Sequence, residues 1–214
     1  MKQSNPLPMM EVCVRPDYWN EACADLQKRD RILKKLIPEF GAVCLQSGHD
    51  PFVTLVRAVV RQQISIASAQ GVWQRINDAY PRLAPQAFLR SGREKLPACG
   101  VSKRKTDYLL DLAQHFVAGT LRVGDWATMD DEAIIAALTQ IRGITRQTAE
   151  MFLIFNLARP DVLPLDDARL LRAISANYFS GEPVTRSEAR EVAANWKPWR
   201  TVAVWYMWRS LEAA

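Results

Sequence analysis

Cysteine pairs at metal-binding spacing are missing from this sequence. Its four cysteines are Cys13, Cys23, Cys44 and Cys99, and no two of them form a CxxC pair. The spacing of a zinc ribbon is therefore absent. Cysteines scattered in this way are typical of reduced and mostly buried thiols in a cytosolic protein, so we expect no metal.

Long apolar runs are missing as well. The longest of them, such as residues 151–155, are far shorter than the ~20 residues that a helix needs to cross a bilayer. Pro6 and Pro8 interrupt the N-terminus, which lacks the apolar core of a signal peptide. We therefore expect a cytoplasmic protein with no membrane partner.

Positive charge is in modest excess only. The 214 residues include 28 Lys and Arg against 23 Asp and Glu, which gives a net charge of +5. This balance is compatible with a polyanionic partner but does not by itself indicate one. Hydrophobic residues make up 49% of the chain, enough for a buried core in one large domain or two small, closely packed ones.

Alternating β patterns, repeats and low-complexity tracts are absent, and helical periodicity dominates instead. Apolar residues recur at i, i+3 and i+4 steps from Phe52 to Ile76, which predicts one face of a helix. Asp50 is the expected N-cap, with Pro51 at the first helical position. Gly71 is expected only to loosen this helix.

The same periodicity continues through the rest of the chain. Further helices are predicted to begin at Arg146 and to cover residues 102–117, 130–138, 187–195 and 198–211. The sequence therefore predicts an all-α protein of about ten helices. Residues 1–16 are expected to form a loosely ordered tail, followed by one domain over residues 17–214.

A glycine turn followed by two adjacent carboxylates is the most informative part of the sequence. Within residues 141–172, Gly143 permits a backbone turn that a residue with a Cβ resists, and Arg146 begins a helix. N–H groups exposed at such a turn can bind a phosphate. From the residues alone, an ordinary αα-hairpin is the more common interpretation, and Asp166 and Asp167 would simply cap the next helix.

This stretch resembles the helix-hairpin-helix of the DNA glycosylase superfamily that includes endonuclease III and DNA-3-methyladenine glycosylase II. Gly143, Ile144, Thr148 and Ala149 follow the pattern of that family in order. The resemblance implies that the hairpin binds DNA through Gly143, Ile144, Thr145 and Thr148. Thr145 stands where the family usually has a second glycine. Because a β-branched residue disfavours a positive φ, we expect an altered turn or a weaker grip on the phosphate.

The resemblance also assigns a catalytic carboxylate. Residues 167–172, DARLLR, align with the Asp-x-x-Ile/Leu-x-Arg pattern of the family, so Asp167 is the expected catalytic residue and Asp166 the expected capping or orienting partner. An ionised aspartate would stabilise the positive charge that the sugar gains as the base departs, or would orient the attacking water. Gln147 replaces the lysine nucleophile of bifunctional relatives. Glutamine cannot form a Schiff base, which implies an enzyme without lyase activity.

Two further segments carry the resemblance. Residues 51–69 match the helix and loop that supply a side chain to fill the gap left by a flipped nucleotide. Gln62 and Gln63 are the candidates, with Gln63 at the wedge position of the methyladenine branch. Residues 96–113 match a glycine, a basic cluster and a helix. The basic cluster is expected to contact DNA phosphates and consists of Lys103, Arg104 and Lys105. Solvated surface residues are the alternative in both segments.

Aromatic residues are dense over residues 196–209, and such residues are normally part of a core. In the methyladenine branch, however, Trp208 corresponds to a pocket tryptophan, and Met151 and Gln147 fall at other positions of the pocket wall. An electron-rich ring attracts a cationic alkylated purine. We therefore expect Trp208 to face the flipped base and Trp205 to face the core.

The resemblance covers roughly residues 25 to 211 and implies two α-helical subdomains that flank a DNA-binding cleft. The expected protein is a monomeric DNA glycosylase that acts on double-stranded DNA with damaged bases. It would flip out 3-methyladenine or 7-methylguanine and hydrolyse the N-glycosidic bond with water, and it would need no cofactor. The alternatives are a glycosylase for mismatched uracil or thymine, one for oxidised purines, and a non-catalytic helix-hairpin-helix DNA-binding protein. The expected location is with DNA, in the cytoplasm or, in a eukaryote, the nucleus.

Overall fold

Eleven α-helices and one short 3-10 helix make up a computed structural model that describes residues 15–41, 44–45, 47 and 50–212, and this part of the chain contains no β-strand. The helices are α1 (Trp19–Arg29), α2 (Leu33–Phe40), α3 (Pro51–Arg61), α4 (Ile66–Ala79), α5 (Pro85–Ala98), α6 (Lys103–Val117), the 3-10 helix Val123–Asp125, α7 (Asp131–Thr139), α8 (Arg146–Phe155), α9 (Ala168–Tyr178), α10 (Arg186–Ala194) and α11 (Arg200–Ser210). The all-α prediction is confirmed. The predicted N-terminal tail lies almost entirely outside the described residues.

Side-chain caps begin several of these helices where the sequence predicts them. The Asp50 carboxylate accepts the N–H of Val53 at 2.9 Å ahead of α3. Ser102 caps α6, and Asp130 caps α7. Each cap accepts an N–H that the first turn of a helix cannot bond internally, which fixes where the helix starts.

The single helix predicted from Phe52 to Ile76 is wrong, because the chain breaks between α3 and α4. Gln63 has a φ of 56°, in the left-handed region, so the helix cannot continue through it. Ser65 then caps α4 by accepting the N–H of Ser68 at 3.2 Å. Gly71, where loosening was expected, lies inside α4.

The helices pack as two groups. In one group α5 packs on α6, α3 packs on α4, α6 and α8, and α7 packs on α8. In the other, α11 packs on α1, α2 and α9, and α10 packs on α9. Residues 201–208 of α11 are all buried, so this helix is a central element of the second group. The predicted pair of helical subdomains is therefore present.

In the second group, one buried carboxylate connects the first two helices with the helices near the C-terminus. Asp30 follows α1, and its Oδ1 accepts the N–H groups of Ile32 and Leu33 at 2.8 and 3.0 Å. Its Oδ2 accepts the Tyr178 hydroxyl at 2.8 Å and the Trp196 indole N–H at 3.1 Å. Because a buried charge is stable only when it is hydrogen-bonded, this set ties α1 and α2 to the C-terminal helices.

Among the described residues, no helix is long and apolar enough to cross a membrane, and no three or more His, Cys, Asp or Glu side chains are grouped as a metal site. Cys23 and Cys99 are buried free thiols and Cys44 is partly buried, as the sequence predicts. Burial raises the pKa of the Cys23 and Cys99 thiols, which keeps them protonated at neutral pH. Cys13 lies outside the described residues.

Candidate functional site

A cleft of about 1020 Å³ opens between the two helical groups. Helices α3, α4 and α8 contribute to one wall, and the start of α9 and the last turn of α11 contribute to the other. Six residues that the sequence nominates for DNA or base contacts line it, namely Gln62, Gln147, Thr148, Met151, Asp167 and Trp208. Residues far apart in sequence thus meet in one cavity large enough for a nucleobase.

Asp167 occupies the wall of this cleft at the start of α9. It is 9% exposed, and its Oδ1 accepts the N–H of Arg169 at 3.0 Å, which makes it the N-cap of the helix. Its Oδ2 has no hydrogen-bond partner within the described part of the chain. One carboxylate oxygen is therefore fixed by the helix while the other is available to the cleft.

The prediction that Asp166 caps this helix is wrong. Asp167 itself supplies the cap, whereas Asp166 is exposed and pairs with Arg186 at 2.7 Å. The capping and catalytic assignments are thus compatible, because a carboxylate has two oxygens and the cap uses one. The cap also sets the direction in which the remaining oxygen points.

Trp208 forms the aromatic end of the cleft. Its ring is stacked with Phe155, with centroids 5.7 Å apart and planes 14° apart. The Arg169 guanidinium lies 5.9 Å from the centre of the same ring. The indole N–H of Trp208 is buried and has no acceptor within the described residues. This end of the cleft therefore offers stacked aromatic surface and one unpaired donor.

Trp205 belongs to the core, as the sequence predicts. Its ring makes edge contacts with Trp19 at 5.4 Å and with Tyr206 at 4.9 Å. It does not line the cleft. The two tryptophans are three residues apart on one helix, yet one packs inward and the other reaches the cavity wall.

One face of α8 forms a stripe along the cleft. Gln147, Met151 and Phe155 are spaced by four residues, so they lie on the same side of the helix, and all three line the cavity. Phe155 is 37% exposed, unusually open for a large apolar side chain. Phe155 is not among the residues predicted from the sequence to form the site, although its spacing from Met151 places it on the same face of α8.

The hairpin between α7 and α8 turns at Gly143, which has a φ of 85°. A Cβ built at this glycine would lie 2.2 Å from Cδ2 of the Tyr108 ring. Both facts exclude any larger residue, because the left-handed conformation is costly for them and the space is already filled. Gly143 thus allows α6 and the hairpin to pack closely.

Some backbone N–H groups of the hairpin donate to acceptors within the hairpin, and others have no acceptor among the described residues. The N–H of Ile144 donates to Ile141, and that of Thr148 donates to the Thr145 hydroxyl at 3.2 Å. These two N–H groups are therefore used within the hairpin, and the DNA contacts of Ile144 and Thr148 stay predictions. Within the described residues, four donors of the turn and first helical turn have no acceptor, those of Gly143, Thr145, Arg146 and Gln147.

Thr145 does not distort the turn, contrary to expectation. Its φ is −88° and its ψ 164°, an extended conformation that suits a β-branched residue. Its hydroxyl caps α8. The second position of the turn therefore needs no glycine in this chain, and the threonine adds a cap that glycine lacks.

The side chain of Arg146 is already neutralised by carboxylates. It forms a two-pronged ion pair with Glu132 of α7 and also donates to Glu150 at 3.0 Å. The hydrogen bond from Arg146 lowers the pKa of Glu132, whereas burial raises the pKa of the Glu150 carboxyl. These pairs hold α7 against α8, so the hairpin presents backbone donors rather than this arginine.

The two wedge candidates differ in their surroundings. Gln62 is half-buried, and its Nε2 donates to the Gly143 carbonyl at 2.8 Å, which joins the end of α3 to the hairpin. Gln63 is exposed, has a positive φ, and accepts a hydrogen bond from Arg104 at 2.7 Å. Gln63 is therefore the more exposed of the two, and Gln62 is the one bonded to the hairpin.

The residues of the basic cluster at the start of α6 also differ in their exposure to solvent. Lys103 and Arg104 are exposed. Lys105 is 9% exposed, and its Nζ donates to the Val60 carbonyl at 2.7 Å. Burial, and secondarily Arg104, lowers the pKa of Lys105. In this structure the charge of Lys105 stabilises the carbonyl end of α3, and its contact with DNA stays a prediction.

A sequence profile of the HhH-GPD superfamily of base excision DNA repair proteins matches residues 56–199. The DNA-3-methyladenine glycosylase 1 of Schizosaccharomyces pombe is 31% identical over 188 residues, which cover 85% of this chain and 82% of the relative. The DNA-3-methyladenine glycosylase 2 of Escherichia coli is 28% identical over 199 residues, covering 86% of this chain and 67% of that relative.

Solved structures give the same result. The S. pombe 3-methyladenine DNA glycosylase in complex with abasic DNA superposes with a TM-score of 0.79 at 28% identity. The superposition covers 90% of this chain and 97% of that one. The likeness therefore extends through both helical groups that form the cleft.

Proposed function

Because the chain belongs to the HhH-GPD superfamily of base excision DNA repair proteins, we propose that it is a DNA glycosylase that removes alkylated purines by hydrolysing the N-glycosidic bond. The observation that carries this proposal is the cleft. It combines an available carboxylate oxygen of Asp167 with the aromatic surface of Phe155 and Trp208. A planar base can stack in such a cavity while its sugar lies near the carboxylate.

The hairpin and the α3–α4 loop hold the DNA. Free N–H groups at Gly143 and Thr145 and at the first turn of α8 suit a phosphate oxygen, and the helix dipole favours the negative charge. The exposed Gln63 fills the space that the flipped nucleotide leaves in the duplex. Lys103 and Arg104 add contacts to phosphates that do not depend on sequence.

Asp167 stabilises by its charge the transition state in which the base departs. As the glycosidic bond lengthens, the sugar becomes positively charged, and a fixed carboxylate next to it lowers the energy of that state. The cap on Oδ1 prevents rotation of the side chain away from the sugar. The carboxylate can also accept a proton from the attacking water through Oδ2.

The product is an abasic site in an intact strand. A lyase needs an amine that forms a Schiff base with the sugar. Gln147 stands in the first turn of α8 without an amine, and none of the described residues that line the cleft is a lysine. Trapping with borohydride should therefore yield no covalent protein–DNA adduct. A trapped adduct would contradict the absence of lyase activity without affecting base release.

Release of free base from methylated duplex DNA tests the proposal. Asp167→Asn should lower the single-turnover rate by about 10²- to 10³-fold, the usual cost of removing a group that stabilises transition-state charge. Affinity for a duplex with an abasic-site analogue should remain, because the binding elements are separate from Asp167.

Asp166→Asn is the matched control, because Asp166 is adjacent and exposed and pairs with Arg186 outside the cleft. It should retain the wild-type rate within about twofold, as expected of a surface ion pair. Release of uracil or an oxidised purine without release of alkylpurines would identify one of the related glycosylases instead. DNA binding with no base release from any of these duplexes would identify a non-catalytic DNA-binding protein.

A further inference from the structure

The aromatic ring that should select an alkylated base is already covered on the enzyme. Trp208 is only 6% exposed, although it lines the cleft. Phe155 is stacked on it, and the Arg169 guanidinium lies over the ring. A flipped base can therefore stack on the exposed Phe155 or take the place of Arg169. A base that approaches the Trp208 ring from the side of Arg169 therefore meets this guanidinium.

The charge of Arg169 is held at this place and is incompletely balanced. Its backbone N–H is fixed by Asp167, and its side chain reaches Glu212 at 3.6 Å. Glu212 also pairs with Arg209 at 2.6 Å, so one carboxylate serves two arginines. The Arg169 side chain is half-exposed and itself lines the cleft. A positive charge thus stands next to the position of the base.

We propose that Arg169 is a specificity-determining residue that disfavours cationic alkylpurines and favours neutral modified purines. The inference rests on the proposed function, since it concerns which bases the same cleft accepts. Two effects act in the same direction. The guanidinium repels a cationic base, and it occupies the π face that a cationic base would use. A neutral purine is not repelled by the charge, and it loses less than a cationic base when the π face is occupied.

The size of the effect follows from distance and solvent exposure. Two unit charges ~6 Å apart, with an effective dielectric constant of ~40–80 for a half-exposed group, repel by an amount worth about 3- to 10-fold in rate. Arg169→Met removes the charge and keeps the length of the apolar stem. It should raise the ratio of 7-methylguanine excision to hypoxanthine excision by that factor.

The test is a single-turnover measurement of both bases in the same duplex sequence, with enzyme in saturating excess. Because the ratio is taken within one variant, a general loss of stability cancels. Arg169→Lys keeps the charge and should retain the wild-type ratio. Arg190→Met is the matched control: Arg190 is exposed on α10 and does not line the cleft, so the ratio should stay at its wild-type value.

An unchanged or lower ratio in Arg169→Met, or the same rise in Arg190→Met, overturns the proposal. An equal loss for both bases also overturns it, since that result indicates that Arg169 contributes to packing or to DNA affinity. Wild-type protein that releases neither base would contradict the proposed function itself, and this inference with it.

Discussion

Replacement of Gly143 by alanine is the sharpest single perturbation of the hairpin. The residue has a φ of 85°, and its missing Cβ would lie 2.2 Å from the Tyr108 ring. Its carbonyl also accepts the Gln62 amide at 2.8 Å. One methyl group therefore strains the backbone, displaces an aromatic ring and disturbs the link between α3 and the hairpin.

The expected loss can be estimated from these contacts. A left-handed alanine costs about 1–2 kcal/mol, and overpacking against a ring that must move costs about 1–3 kcal/mol. The less flexible unfolded chain returns about 0.4–1 kcal/mol. The free energy of unfolding should therefore fall by about 2–4 kcal/mol. The steric part is the larger one, because the ring is half-buried and cannot simply turn into solvent.

Urea unfolding measures the stability loss, and fluorescence anisotropy with an abasic duplex measures DNA affinity. Loss of one or two charge-assisted hydrogen bonds to phosphate should weaken binding by about 10- to 100-fold. In a Tyr108→Ala background, the added cost of Gly143→Ala should fall to ~1 kcal/mol, because only the backbone strain remains. Stability within ~0.5 kcal/mol of the wild type, together with unchanged affinity, would refute this account of the hairpin.

Lys105→Met should lower stability by about 1–3 kcal/mol in urea unfolding, since a carbonyl of α3 loses its partner. Lys103→Met should instead reduce by about one the slope of the logarithm of DNA affinity against the logarithm of salt concentration. Trp205→Leu should lower stability by about 2–4 kcal/mol in urea unfolding, because its ring packs in the core against Trp19 and Tyr206. Burial raises the pKa of Glu150, so the folded protein binds this proton more tightly than the unfolded chain. Stability should fall as pH rises through the raised pKa, and Glu150→Gln should raise the melting temperature more at about pH 8 than at about pH 4. Melting temperatures that shift equally at both values would contradict this.

Local signals explain why much of the fold could be predicted from the sequence. Asp50 caps α3 at the predicted position, and Ser102 and Asp130 cap helices where the predicted segments 102–117 and 130–138 begin, because an N-cap depends on the side chain and the few residues that follow it. Gly143 was identified for the same kind of reason, since a positive φ is a local property. Helix type and helix starts are therefore readable from short stretches of sequence.

Errors arose where a local pattern had more than one solution. The apolar spacing continues from α3 into α4, so periodicity alone did not reveal the break at Gln63. Thr145 was expected to strain the turn because the family has glycine there, yet the chain adopts an extended conformation and uses the hydroxyl as a cap. Both errors concern backbone angles, which the side-chain pattern does not determine.

The different contacts of neighbouring side chains could not be predicted, because they depend on which side of a helix packs against the rest of the protein. Lys103 and Lys105 are two residues apart, yet the first is exposed and the second bonds a carbonyl of α3. Nothing in the sequence near Asp167 indicated that Arg169 lies over a ring some forty residues later in the chain. Pairings of this kind form only when α9 and α11 pack.

The cap at Asp167 shows how structure and chemistry can use the same side chain. A carboxylate that both begins α9 and faces the cleft is held in place by the fold, so no additional group is needed to orient it. Substitution by asparagine keeps an oxygen for the cap and removes the charge, so Asp167→Asn separates the two roles. If its stability is close to that of the wild type while base release is lost, the charge of Asp167 contributes to catalysis and its geometry to folding. A comparable loss of stability and activity would instead mean that the carboxylate acts chiefly as a helix cap.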